Sequence, residues 1–336
     1  MDLTLISAGV IAVAILMYVV LDGFDLGTGI LFPFAPDDNG RATMINSIAP
    51  MWDGNETWLI LGGGGLLVLF PTAYSIVMPA FYIPVMTLLF ALIFRGVAFE
   101  FRHNSHSSRH IWDRSFFIGS IVAAFAQGIL LGALVQGVTV EDQRFTGGLF
   151  DWLTPFSLLT GLGVVAGYAL LGAGWLIIKT EGKMQEWARR AGLITAGGVL
   201  VAMAAVSILT PFLRGAIEQR WFGGINSLLL APIPLAALVA AVLVYVGLLS
   251  KTREKLPFFA TIALFICGYI GIGVSLWPHI VPPSLTIWDA AAPHSSQVFA
   301  LIGIAIVLPM VLFYTWYAYS VFRGKASSEG GYAHEE

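Results

Sequence analysis

Cysteine is almost absent: Cys267 stands alone among 336 residues. A lone thiol forms no internal disulfide and excludes a cysteine-clustered zinc or iron–sulfur site within the chain. Charge is scarce too. Asp, Glu, Lys and Arg make up 11% of the residues, where a soluble domain carries about 25%. The net charge of −3 leaves no broad basic surface for nucleic acid. Neither a GxGxxG fingerprint nor a P-loop occurs, which argues against an ATP-driven transporter subunit. What the chain has instead is apolar surface. Hydrophobic residues reach 57% and the mean hydropathy is +0.83. A disordered chain is polar and charge-rich, so disorder is excluded by the same numbers. The 37 glycines and 10 tryptophans suit packed membrane helices with interfacial aromatics.

A membrane-spanning helix needs about 20 mostly apolar residues. Nine segments meet or approach this, at about 3–21, 58–74, 79–99, 116–138, 152–178, 191–211, 228–249, 257–277 and 297–322. The second is the shortest and carries Gly62 to Gly65. The expected fold is therefore all-α and polytopic, one transmembrane domain over residues 1–323. A polar, mobile cytoplasmic tail is expected over 324–336. With nine crossings, thirteen of the 17 Lys and Arg fall on one side of the membrane. Arg144, Arg214 and Arg220 fall on the other, and Arg95 lies inside the third span. The basic side is cytoplasmic, so the N-terminus is expected outside and the C-terminus inside. Residues 1–2 carry no basic region of a cleaved signal, and the first helix is expected to serve as its own anchor.

A charge at the bilayer centre costs about 3 kcal/mol on insertion scales, so ionisable residues within the spans are candidate sites. They concentrate in the first third. Asp22 and Asp25 share one helical face. Either they close the first helix at the interface, or they form a coupled pair that handles protons or cations. Asp53 and Glu56 lie in Trp52-Asp53-Gly54-Asn55-Glu56-Thr57-Trp58. They suit a helix N-terminus, or a polar constellation between helices that Trp52 and Trp58 shield from lipid. Arg95 lies more than a turn inside the third span, ahead of Glu100. It either snorkels to the headgroups or needs a carboxylate or carbonyl partner. His103, His106 and His110 fall in a basic loop and read as a solvated face rather than a metal site. His279 and His294 lie in a loop and His334 in the tail, so no histidine is placed as a haem ligand within a span. The proline-stiffened connector from Trp277 to Pro293 is either a rigid link or a docking surface.

Four motifs follow one another along the chain. They are Asp22-Gly-Phe-Asp-Leu-Gly; Asn46-Ser-Ile-Ala-Pro-Met-Trp-Asp53-Gly-Asn55-Glu56-Thr-Trp58; Phe94-Arg95-Gly-Val-Ala-Phe-Glu100-Phe-Arg102; and Trp277-Pro-His-Ile-Val-Pro-Pro-Ser-Leu-Thr-Ile-Trp288-Asp289. In this order, on nine spans, they closely resemble subunit II of the cytochrome bd-type quinol oxidases, in a form most like the cyanide-insensitive branch. The resemblance implies a bacterial inner-membrane heterodimer that oxidises quinol, reduces oxygen to water and separates charge without pumping. Haem b, haem d and the quinol site are then expected in subunit I. No complete active site, haem ligand or metal is expected in this chain. A small single-helix accessory subunit and a structural quinone accompany some members.

The resemblance also implies that this chain stabilises subunit I and contributes to cytoplasmic proton delivery. Asp53 matches the family aspartate associated with a proton route at the subunit interface. Glu100 matches an acidic position at the end of the third helix, and Asp25 the acid of the first-helix motif. Asp22, Trp52, Asn55, Glu56, Trp58 and Arg95 are supporting polar or interface positions. Glu56 stands where other members have Gln, so its role is open. Two rivals remain: a proton- or cation-coupled secondary transporter, and a purely scaffolding subunit.

Overall fold

The computed structural model of the protein describes residues 2–104 and 108–327. The side chain of His103, His106 and the tail from 328 lie outside the described residues.

Helix α1 (Leu3–Leu31) begins on Asp2, whose carboxylate accepts from the Thr4 and Leu5 backbone N–H groups at 2.9 and 3.3 Å. It was expected to close near Leu21. Instead it runs on through Asp22 and Asp25, and its 29 residues span about 43 Å at about 1.5 Å each. Packing explains the extension. A Cβ at Gly27 would lie 1.7 Å from the Tyr168 carbonyl oxygen, and one at Gly172 would lie 2.4 Å from the Gly27 carbonyl carbon. The missing side chains let α1 and α7 (Pro155–Lys179) cross backbone to backbone.

The amphipathic α2 (Asp38–Ile48) follows, capped by Asp37. The segment expected as the second span is two helices, α3 (Trp52–Leu69) and α4 (Pro71–Ala80). They meet at Phe70, whose φ of −136° and ψ of 62° break the helix ahead of Pro71. Pro79 belongs to α4, and α5 (Tyr82–Asn104) starts three residues after it. Next come α6 (Arg109–Gln136), a hairpin of β1 (Val140–Glu141) and β2 (Arg144–Phe145), and α7, which opens on a Thr154–Ser157 capping box. The second half holds α8 (Gly182–Leu213), the short α9 (Gly215–Phe222) and α10 (Asn226–Leu230), α11 (Pro232–Leu249) and α12 (Leu256–Leu276). A hairpin of β3 (His279–Val281) and β4 (Leu285–Thr286) leads to α13 (His294–Val321).

Among the described residues, eight helices are long and apolar enough to cross a membrane. The polar head of α3 keeps it out of that set. The protein is thus an all-α polytopic membrane protein. Helix α7 is the most enclosed, packed by α1, α6 and α8. Helix α13 is the opposite: none of its central stretch is buried. Its lower end is nevertheless tied down. Lys179 Nζ donates to the carbonyls of Phe322 and Gly324, Lys325 pairs with Glu254 at 2.6 Å, and the Ala326 N–H donates to the Lys179 carbonyl at 2.8 Å. The first residues of the expected mobile tail are therefore held against α7.

Candidate functional site: a buried arginine among three carboxyl groups

Arg95 does not snorkel. Its side chain is fully buried, and α5 aims it at α1 and α3. Nη1 bonds Asp22 Oδ1 at 2.6 Å and Glu56 Oε1 at 3.1 Å. Nη2 stands 4.0 Å from Asp25 Oδ2. Asp22 and Asp25 are fully buried, and Glu56 is 24% exposed. The helical spacing on α1 turns both aspartates to one side, as expected. Their burial inside a continuous helix removes the alternative that they mark its end at the interface.

Asn55 binds the cluster together. Its Nδ2 donates to Asp25 Oδ2 at 2.7 Å and to the Leu21 carbonyl at 3.3 Å, and its Oδ1 accepts from Tyr319 Oη at 3.0 Å. Helix α13 therefore contributes a residue to the site despite its sparse packing. Aromatic rings cover it. Phe24 stacks on Trp175 at 4.4 Å and meets Tyr319 edge-on at 6.4 Å. Trp58 is buried beside Ala14 and Tyr18.

A second polar chain runs between α1, α6 and α7. Tyr168 Oη donates to Gln127 Oε1 at 2.6 Å, and Gln127 Nε2 donates to Tyr18 Oη at 3.0 Å. Sequence reasoning missed Tyr18, Gln127, Tyr168 and Tyr319. Gln127, an amide inside an apolar span, carried a signal. The tyrosines look like ordinary interfacial aromatics in sequence.

Asp53 and Glu100 stand apart from the cluster. Both are exposed, and neither has an ion pair among the described residues. Asp53 sits in the first turn of α3, where carboxylates suit the helix N-terminus. Their neighbours in sequence, Trp52 and Phe99, stack at 5.2 Å. That contact sets α3 against the end of α5. Arg102, further along, pairs with Asp113 of α6 and lies 5.3 Å from the Phe32 ring centre.

The connector before α13 is closely bonded. Asp289 Oδ2 accepts from the Thr286 N–H and hydroxyl at 3.0 and 2.6 Å, which holds its carboxyl below the usual range. Trp288 Nε1 donates to Asp2 Oδ2 at 2.9 Å and so ties the connector to the start of α1. Among the described residues no group of three His, Cys, Asp or Glu side chains is placed to hold a metal.

Residues 3–322 match the family model described as cytochrome bd terminal oxidase subunit II. The chain belongs to that family. It is 31% identical to the cytochrome bd-I ubiquinol oxidase subunit 2 of Escherichia coli K12, over 95% of this chain and 94% of that one. Identity to the cytochrome bd ubiquinol oxidase subunit 2 of Bacillus subtilis is 29%, over 94% and 95%. The fold matches a chain of the bd oxidase structure from Geobacillus thermodenitrificans with a TM-score of 0.76 at 17% identity, over 96% of this chain and 99% of that one. Members of the subunit II family are multi-pass proteins of the bacterial cell membrane that work as part of an oxidoreductase. The motifs that carried the resemblance are those that build the Arg95 cluster and the connector.

Proposed function

We propose that this chain is the subunit II half of a heterodimeric quinol oxidase, where it stabilises subunit I and passes protons toward the site of oxygen reduction. The observation that carries the proton role is the surplus of acid at Arg95. One guanidinium faces three carboxyl groups, two of them without exposure. Uncompensated charge is expensive in such surroundings, so the cluster balances its charge with bound protons, which it exchanges as a coupled set. Asp53 and Glu100, open on α3 and α5, provide entry from the cytoplasm, and Asp25 is the interior station. Tyr319 and Asn55 hold Asp25 in position from α13.

The exposed face of α3, α5 and α13 is the seat of subunit I. Ile60, Phe94, Phe313 and Trp316 present large apolar side chains there, and Asp53 and Glu100 would meet the partner along it. Haems b and d in subunit I supply the electron transfer and oxygen reduction. Trp58 Nε1 and Arg95 Nε have no hydrogen-bond partner among the described residues, but both side chains are buried, so they do not fit the seat of a structural quinone. In this orientation the N-terminus is outside, the C-terminus is cytoplasmic, and α3 with α4 makes the ninth crossing.

The test is oxygen uptake by the assembled complex carrying Asp53→Asn or Glu100→Gln. Each substitution keeps the side chain's size and a carbonyl acceptor, so haem spectra and assembly should be normal. Quinol-driven turnover should fall by about a hundredfold, the low end of general acid–base contributions. Normal turnover in both would leave a purely scaffolding subunit and refute the proton role, while leaving family membership untouched.

A further inference from the structure

A cavity of about 440 Å³ opens between α9, α10 and α12, away from the Arg95 cluster. Arg220, Asn226, Leu229, Leu230, Val274 and Trp277 line it. It lies at the end of the bundle where α1 begins. The ring of Trp277 meets that of Trp288 edge-on at 5.7 Å, and Trp288 bonds Asp2. Tryptophans at one level mark the membrane interface. Trp221 of α9 joins them through its Nε1 bond to Ser275 Oγ at 2.9 Å.

Arg220 gives the cavity its chemistry. Nη1 donates to the carbonyls of Val274, at 3.2 Å, and Trp277, and so caps the C-terminal end of α12. Nε and Nη2 have no further partner among the described residues. The guanidinium is thereby fixed at the mouth with donors left over, and no carboxylate lines the cavity. Beside it, Ile225, Leu228 and Leu229 are 68%, 73% and 66% exposed, an apolar ledge leading away from the charge.

We infer that this cavity binds an anionic phospholipid. The phosphate would take the open donors of Arg220, since guanidinium groups match phosphate geometry. The glycerol and upper acyl chain would lie on Leu229, Leu230 and Val274. At about 30 Å³ per water-sized group the space holds about fifteen such groups, enough for a phosphate and the head of one chain, with the rest on the exposed ledge. A zwitterionic lipid would bring an ammonium that finds no anion among the lining residues. Charge complementarity therefore selects a net anionic headgroup.

The test uses the assembled complex in mild detergent, titrated with phosphatidylglycerol, phosphatidylcholine or inorganic phosphate. Retained lipid is read by native mass spectrometry and stabilisation by thermal melting. Phosphatidylglycerol should be retained and should raise the melting temperature more than phosphatidylcholine does. Arg220→Gln should weaken this by roughly tenfold, the value of a charge-assisted phosphate contact. Gly273→Leu is the second variant. A Cβ at Gly273 meets nothing within 4 Å, so the leucine folds into open space, keeps Arg220 and takes up about four of the roughly fifteen group-sized positions in the cavity. It should weaken retention measurably even if Arg220→Gln fails to assemble. Unchanged phosphatidylglycerol binding in Gly273→Leu, or equal stabilisation by phosphatidylcholine, would overturn the inference. Inorganic phosphate reproducing the full shift would also overturn it, by showing a free-anion site.

Discussion

Replacing Arg95 by methionine removes the guanidinium that faces Asp22, Asp25 and Glu56 while keeping a long, unbranched side chain. Asp22 loses its 2.6 Å bond and Glu56 its 3.1 Å bond. Asp22 and Asp25 have no exposure through which water could compensate. Breaking a buried ion pair from one side costs about 3–5 kcal/mol, a large share of the roughly 5–15 kcal/mol that holds a domain together. Asp22→Asn is the contrasting change. It leaves Arg95 with Glu56 and Asp25 nearby, so its cost should be nearer about 1–3 kcal/mol, the value of a lost buried hydrogen bond. The double variant Arg95→Met with Asp22→Asn should recover part of the loss, because it removes charge from both sides. The assay is the yield and melting temperature of the complex in mild detergent, followed by its haem spectrum. Arg95→Met should be the worst of the three, with low yield. A melting temperature like that of the unchanged protein, or a double variant worse than Arg95→Met by the full cost of Asp22→Asn, would refute the view that uncompensated buried charge governs this site.

Gly27→Ala places a methyl group 1.7 Å from the Tyr168 carbonyl oxygen, so α1 and α7 must separate; a loss of about 1–3 kcal/mol is expected from overpacking. Gly197→Ala on α8, where a Cβ meets nothing within 4 Å, is the matched control and should melt normally. Tyr319→Phe removes the hydroxyl that bonds Asn55, and should slow oxygen uptake more than it lowers the melting temperature if Asn55 positions Asp25. At the base of α13, hydrogen bonds from Lys325 and Gln185 hold the Glu254 carboxyl below its usual value of 4.5. A depressed carboxylate stabilises the folded state above that value and loses this as pH falls through its folded value. The tail should therefore become more open to protease only in acid below about pH 4.5, by no more than about 1 kcal/mol for so exposed a pair, and Glu254→Gln should remove the dependence.

Membrane class and most of the helices were legible because apolar length is a local property. Residues 257–277 were expected as a span and α12 occupies Leu256–Leu276. The order of the four motifs was legible too, and it sufficed for the family. The limits of local reading appear at α1 and α3. Hydropathy stops at Asp22 because two aspartates interrupt it, yet the helix continues to Leu31. What allows this is Arg95, 73 residues away in sequence, and the glycine crossing with α7. Hydropathy runs unbroken over 58–74 and reads as one span, but Pro71 inside it ends one helix at Phe70 and starts the next.

The site divides in the same way. The sequence by itself determined which residues carry charge in an apolar chain: Asp22, Asp25, Asp53, Glu56, Arg95 and Glu100. It could not sort them, since a residue's hydropathy is the same whether it faces lipid, water or another helix. Tertiary structure decided that Asp22, Asp25, Glu56 and Arg95 converge while Asp53 and Glu100 stay exposed. It also brought in Tyr319, 264 residues from Asn55. Burial and pairing are set by which helices pack together, and that packing depends on contacts between segments far apart in the chain.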